Sequence, residues 1–434
     1  METPFGLNDA CFPGLLCAMR TFSAILILVT LLLAGCVSRS PLACPDGRGP
    51  RLARVYFGTD RKASVVDHLQ YGGQRSEPPQ LHMGWEDVTI GLHHRVGMLD
   101  GAIASGPASV SGETSVEPGG VSLHRTDVQI ERFAETILRP ALRALPVSSA
   151  NGGRQVLLFI HGFNNSFDEA VRKTAQFAGD LDLVTCSGER RGLAIAYSWP
   201  AEGQLLGYLA DEESVEWTQQ RLEPFLRALA RVCREEHARL EIVAHSMGAR
   251  LLVRSLAEIA NSCEGQHGGR LADQVVLLAP DIGKGIFDQY LERILPLIGH
   301  LTVYVSAKDQ ALSISSLLHG GHYRLGFVES SLLAALKLTS LTGLTPDSHR
   351  ELGYFPAGSP GKRIDMIDVS SGLAASFGHS YEDPRFIRDL KELVLRGTPA
   401  GSGARSNLQF RELKPGLFQR ATGERLRYFK LKAW

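Results

Sequence analysis

The stretch Leu240-Glu-Ile-Val-Ala-His-Ser-Met-Gly-Ala-Arg-Leu-Leu252 constrains this chain more than any other. Its first half is apolar and ends in small residues. Its second half has helical apolar spacing at Leu251, Leu252, Val253 and Leu256. Between them lies Ala244-His245-Ser246-Met247-Gly248. A turn tight enough to join strand to helix here would press the side chains two before and two after the serine against both elements. Small residues at Ala244 and Gly248 relieve that clash. This is the pattern of a nucleophile elbow, with alanine at the first small position instead of glycine. The serine then projects from the end of a strand, over a helix N-terminus. The free N–H groups and positive dipole end of that helix favour a developing anion. A five-residue pattern recurs by chance, so the flanking strand and helix carry most of the weight.

The rest of the chain repeats the same alternation. Gln155-Val-Leu-Leu-Phe-Ile160 is a continuous apolar run, as expected of a parallel strand buried on both faces. It leads into His161-Gly162-Phe163, and Ser166 with Glu169 predicts a capping box for the next helix. Strands are expected at Ala53–Lys62, Trp85–Leu92, Leu193–Tyr197, Gln274–Ala279 and Leu301–Ser306, with the last at Ile364–Val369. Helices are expected over Asp127–Leu145, over Asp211–Arg239 with Pro224 as a kink or break, and over Phe287–Ile298. Such an order implies an α/β fold, a mainly parallel central sheet flanked by helices. Gly101–Gly120 reads as a flexible loop, and His93-His94 as a surface pair. The connection Gln310–Arg363 is far longer than an ordinary loop of two to six residues. Its apolar middle, Leu332–Leu341, predicts either a helix on the sheet flank or a lid over the site.

Composition enters as a set of bounds. The 434 residues are 44% hydrophobic and balance 46 Lys+Arg against 46 Asp+Glu, for a net charge of +0. A sizeable core can be buried, and nothing favours nucleic acid as a partner. Residues 1–35 read as a signal peptide: Arg20 precedes the apolar run Ala24–Leu33, too short to span a bilayer. Leu33-Ala34-Gly35-Cys36 looks like a bacterial lipobox, which implies lipid on Cys36. Val37 after it points to the outer membrane, facing the periplasm. Residues 1–18 hold no basic residue, and Met19 offers a second start. Residues 36–52 read as a tether, 53–395 as the folded domain with 310–363 as its insertion, and 396–434 as a C-terminal extension. Cys44, Cys186, Cys233 and Cys263 allow three full disulfide connectivities, and their spacing resembles no zinc site.

A serine nucleophile needs a base, and the base needs an orienting carboxylate. The order expected along such a chain is Ser, acid, His. His379, in Phe377-Gly378-His379-Ser380-Tyr381, follows the last expected strand and is the candidate base. Asp309 and Asp281 both end strands. Asp309, two strands after the elbow strand, is the favoured acid, and Asp281 is the alternative, with a helix N-cap or a structural hydrogen bond as its plain reading. The backbone N–H groups of Met247 and Phe163 are the expected oxyanion hole. His319 and His322 in His-Gly-Gly-His supply only two ligands, too few for a metal site. His161 and His245 read as structural residues of their turns.

Seven motifs occur together in order: Phe57-Gly-Thr-Asp-Arg61, Phe159-Ile-His-Gly-Phe-Asn164, Tyr197-Ser-Trp-Pro200, Ala244-His-Ser-Met-Gly248, Ala279-Pro-Asp281, Ser306-Ala-Lys-Asp309 and Gly378-His-Ser-Tyr381. With these the chain resembles the bacterial α/β-hydrolases of the esterase/lipase superfamily whose physiological function is uncharacterised. The resemblance implies an α/β-hydrolase fold and ester-hydrolase chemistry without a cofactor or metal. It places the triad on Ser246, Asp309 and His379. It fixes neither substrate nor oligomeric state. The expected activity is cleavage of a carboxylic ester or thioester, from a small molecule or a lipid, through an acyl-enzyme anchored at the membrane. An acyltransferase using the same triad, a peptidase and a non-catalytic binding module are the alternatives.

Overall fold

The computed structural model describes residues 50–64, 71–99, 103–105, 109–110, 123–147, 153–202, 207–262, 269–327, 364–370, 383–398, 400, 405, 408–412 and 427–431. Its strands are β1 (Arg51–Thr59), β2 (Arg61–Ala63), β3 (Tyr71–Arg75), β4 (His82–Ile90), β5 (Ile103–Ser105), β6 (Ser109–Val110), β7 (Arg154–Ile160), β8 (Gly192–Ser198), β9 (Ala238–His245), β10 (Ala272–Leu278), β11 (Ile298–Val305), β12 (Ile364–Asp368), β13 (Leu408–Glu412) and β14 (Arg427–Leu431). Twelve of them form one sheet in the order β13-β14-β12-β11-β10-β9-β7-β8-β1-β4-β5, with β6 also on β4. Every neighbouring pair from β14 to β1 is parallel. Antiparallel pairing is confined to the two ends of the sheet. This is the α/β-hydrolase fold expected from the sequence.

The apolar runs have a direct cause. In β7, Val156, Leu158 and Ile160 enter one core and Leu157 and Phe159 the other. Successive strand residues point to opposite faces, so a strand covered on both sides must be apolar throughout. One face is covered by α1 (Leu123–Phe133), a π-helical turn (Ala134–Leu138), α2 (Arg139–Arg143), α4 (Tyr208–Glu235), α5 (Met247–Asn261) and α6 (Lys284–Ile294). The other carries α3 (Phe167–Asp180) and α8 (Pro384–Arg396), with Leu312 of α7 (Gln310–Leu318). At the start of α3 the Ser166 side chain accepts from the Glu169 N–H, and the Glu169 carboxylate accepts from the Ser166 N–H. That reciprocal cap contributes about 1 kcal/mol.

Several expectations need correction. His94 is buried and its Nε2 lies 2.9 Å from Asp180 Oδ1, so only His93 of that pair faces solvent. The Gly101–Gly120 stretch contains β5 and β6. Val128 is exposed, because α1 turns it away from the core. Pro224 lies inside α4 and does not end it. Helix α4 stops at Glu235, since Ala238 and Arg239 already pair with β7. Ile364–Asp368 is not the last strand: the residues after 395 add β13 and β14 to the same sheet. Cys233 is a free thiol in the core, its pKa pushed up by burial, so none of the three full connectivities forms. Cys186 is disulfide-bonded. Cys36, Cys44, Cys263, His379 and the apolar segment Leu332–Leu341 lie outside the described residues.

Candidate active site

Ser246 occupies the junction of β9 and α5 with φ 52° and ψ −118°, a conformation that L residues with a Cβ rarely adopt. Its surroundings hold it there. The Ser246 N–H donates to Leu278 O at 2.8 Å, and Ser246 O accepts from the N–H groups of Ala249 and Asp281. Met247 is the first residue of α5, so its N–H has no partner one helical turn earlier. The two small flanking positions are needed sterically. A Cβ on Gly248 would come 2.2 Å from His161 O, closer than any real contact. Ala244 pairs in register with Ile160, and its side chain is fully buried.

That register also brings the loop after β7 to the serine. Ile160 is opposite Ala244, so Gly162 falls beside Ser246, and a Cβ on Gly162 would meet Ser246 Cβ at 2.9 Å. Phe163 follows directly and packs its ring on Tyr208, with centroids 5.5 Å apart. The structure therefore brings Ser246, Met247 and Phe163 together at the C-terminal edge of the sheet, where ligands bind in open α/β sheets.

The two candidate acids end neighbouring strands but have different environments. Asp281 is surrounded. Its carboxylate accepts from Tyr208 Oη at 2.6 Å and Ser315 Oγ at 2.7 Å. Arg324 Nε lies 3.2 Å from it and Arg250 Nη2 3.6 Å. Burial alone would raise the pKa of Asp281, but the two arginines and the two hydroxyl hydrogen bonds outweigh it and hold the carboxyl below its ordinary range. Arg250 also pairs with Glu212, which meets His319 Nε2 at 2.7 Å. His319 thus belongs to a partly buried polar network. Among the described residues, no group of three or more His, Cys, Asp or Glu is placed to hold a metal.

Asp309 is fully buried and caps α7, its Oδ1 accepting from the Leu312 N–H at 2.9 Å. It lies just past β11. There the Ala307 N–H donates to Ser370 Oγ at 2.8 Å, and the Val369 N–H donates to Val305 O at 2.9 Å. The exit of β11 is therefore fastened to the exit of β12, the strand that precedes His379 in the sequence.

One participant escaped sequence reasoning. Arg61, from the Phe57–Arg61 motif, is a fully buried side chain that reaches the loop after β7. Its signals were membership of that motif and the charged pair Asp60-Arg61 soon after the apolar run Val55–Phe57 of β1.

Residues 145–342, a little under half of the chain, match the family described as alpha/beta hydrolase of unknown function. No curated protein sequence matches the chain. Among solved structures, a dienelactone hydrolase from Anabaena variabilis is 14% identical, covering 56% of this chain and 85% of its own, with a TM-score of 0.30. One of two metagenome-derived lipolytic enzymes is 10% identical, covering 52% and 89%, with a TM-score of 0.26. Phospholipase PlaB from Legionella pneumophila is 11% identical, covering 63% and 67%, with a TM-score of 0.27.

Proposed function

On the premise that this chain is an α/β hydrolase, we propose that it cleaves a carboxylic ester or thioester through a covalent acyl-enzyme on Ser246. The observation that carries the reading is the strained backbone of Ser246, at φ 52° between β9 and α5, with the Gly162 loop pressed against it. A serine is placed in so costly a conformation where its hydroxyl must stand clear of both elements.

In this reading His379 takes the proton of Ser246 Oγ as the oxygen attacks the acyl carbonyl. The N–H groups of Met247 and Phe163 receive the oxyanion. Collapse of the tetrahedral adduct expels the alcohol or thiol with the proton from His379. Water then repeats the sequence and frees the carboxylic acid. Asp309 orients the imidazole and stabilises its charged form. Asp281 is the weaker candidate for that role, because its carboxylate is already engaged by Tyr208, Ser315 and two arginines. Attachment to the bacterial envelope through lipid on Cys36 belongs to the same proposal.

The test is labelling with a fluorophosphonate probe, followed by a panel of activated esters of increasing acyl length. Wild-type protein should label and turn over. Ser246→Ala should do neither while keeping its melting temperature. Wild-type labelling of the Ser246→Ala variant would refute the assignment.

A further inference from the structure

Arg61 presents five N–H donors, the full complement of a guanidinium, and all five are engaged. Nε donates to Ser198 Oγ at 2.9 Å. Nη1 donates to Gly72 O at 3.1 Å and Ala201 O at 3.2 Å. Nη2 donates to Asn165 O at 2.6 Å and meets His161 Nε2 at 3.2 Å. His161 Nε2 lies 3.2 Å from the Arg61 guanidinium, which can only donate, and 3.2 Å from the Trp199 carbonyl, which can only accept, so the shorter contact at Nδ1 decides the tautomer. The proton of the neutral ring is then on Nδ1, and Nδ1 lies 2.8 Å from the Gly162 carbonyl, which can only accept. Burial, reinforced by the charge of Arg61, pushes the His161 pKa down to about 3, so the ring stays neutral. Trp199 fixes the ring plane, stacked on His161 with 5.0 Å between centroids and 8° between planes. The Trp199 Nε1–H also donates to His161 O at 2.7 Å.

The consequence lies in the next peptide bond. In a trans peptide the C=O and the following N–H point in opposite directions. Holding the Gly162 carbonyl against the His161 ring therefore turns the Phe163 N–H away from that ring. Asn165 Nδ2 fixes the following peptide by donating to Phe163 O at 2.8 Å. Resting on the function proposed above, we propose that Arg61 is a positioning residue for the oxyanion hole. It holds Nε2 of His161 as an acceptor against the competing Trp199 carbonyl, and His161 aims the Phe163 N–H at the acyl oxygen on Ser246.

A merely structural arginine would affect folding, or substrate binding and turnover alike. A residue that aims an oxyanion donor affects the transition state more than the ground state. Arg61→Lys keeps the charge but offers three donors from a single point instead of a planar fork. In variants shown to be folded by circular dichroism and melting temperature, Arg61→Lys should lower kcat on p-nitrophenyl acetate by about 10–100-fold. KM should stay within about threefold. Affinity for a trifluoromethyl ketone, which forms a tetrahedral oxyanion on the serine, should fall in proportion to kcat. Inhibition by the product carboxylate should not change. If Arg61→Lys does not fold, His161→Phe must show the same split, since a phenyl ring keeps the stacking on Trp199 but offers neither an acceptor to Arg61 nor a donor to the Gly162 carbonyl. A kcat within threefold of wild type, a ketone affinity that does not follow kcat, or failure of both variants to fold would overturn the proposal. Failure of the underlying function is read separately, from Ser246→Ala retaining wild-type turnover.

Discussion

Asp309 and Asp281 illustrate how two identical side chains on adjacent strand ends acquire different work. Asp309 has one carboxylate oxygen on the first turn of α7, and asparagine caps a helix about as well as aspartate. Asp309→Asn should therefore leave the melting temperature close to wild type. It should lower kcat by several orders of magnitude, because an amide at this position favours the wrong imidazole tautomer. Asp281→Asn should do the reverse: it leaves Arg250 and Arg324 without their shared carboxylate, and breaking a buried ion pair costs about 3–5 kcal/mol. Thermal melts and steady-state kinetics on both variants check this, and the acid is misassigned if a folded Asp281→Asn loses more activity than Asp309→Asn. Residues whose role follows from local sterics were legible in the sequence. Ala244, Ser246 and Gly248 are required by a single turn. Arg61 was not legible as a functional residue, because its partners at Gly72, His161, Asn165, Ser198 and Ala201 are spread over the chain and meet only after the sheet forms.

The elements were read most accurately where burial leaves one choice. Strands β7 to β11 are apolar on both faces and bounded by helices of clear periodicity. The short strands β5, β6, β13 and β14 at the two ends of the sheet carry no such run and were missed or absorbed into loops. Strand β9 also holds an exception to its own pattern. Glu241 is fully buried, and burial pushes its carboxyl up to about 8 despite the Arg239 guanidinium 3.0 Å away. The sign follows from linkage. A carboxyl whose folded pKa is raised contributes stability that is present below its ordinary pKa and is lost as pH rises through the folded value. The wild-type protein should thus lose melting temperature between about pH 5 and pH 8, and Glu241→Gln should flatten that slope. A pH series of thermal melts checks it, and equal slopes in the two proteins would refute the assignment.

At the scale of the whole molecule, no helix among the described residues is long and apolar enough to cross a membrane. The proposed envelope attachment is through lipid on Cys36. Cys36→Ala should move the protein from the membrane pellet to the soluble fraction and abolish incorporation of a palmitate analogue, since stable anchoring needs more than one acyl chain. Absence of label on the wild-type protein would refute lipidation. The general architecture was legible because alternating strands and helices admit few topologies. The sheet's ends were not, because nothing local marks a short strand whose partner lies far along the chain. The strand order has one more consequence, for synthesis. From β7 outward, strands β9, β10, β11 and β12 join the same side of the sheet in the order in which they leave the ribosome. Strand β14, which sits against β12, follows both β12 and β13 along the chain. The edge of β12 therefore stays bare until the chain as far as Leu431 has been made, so β12 cannot gain its second neighbour while the rest of this side of the sheet assembles.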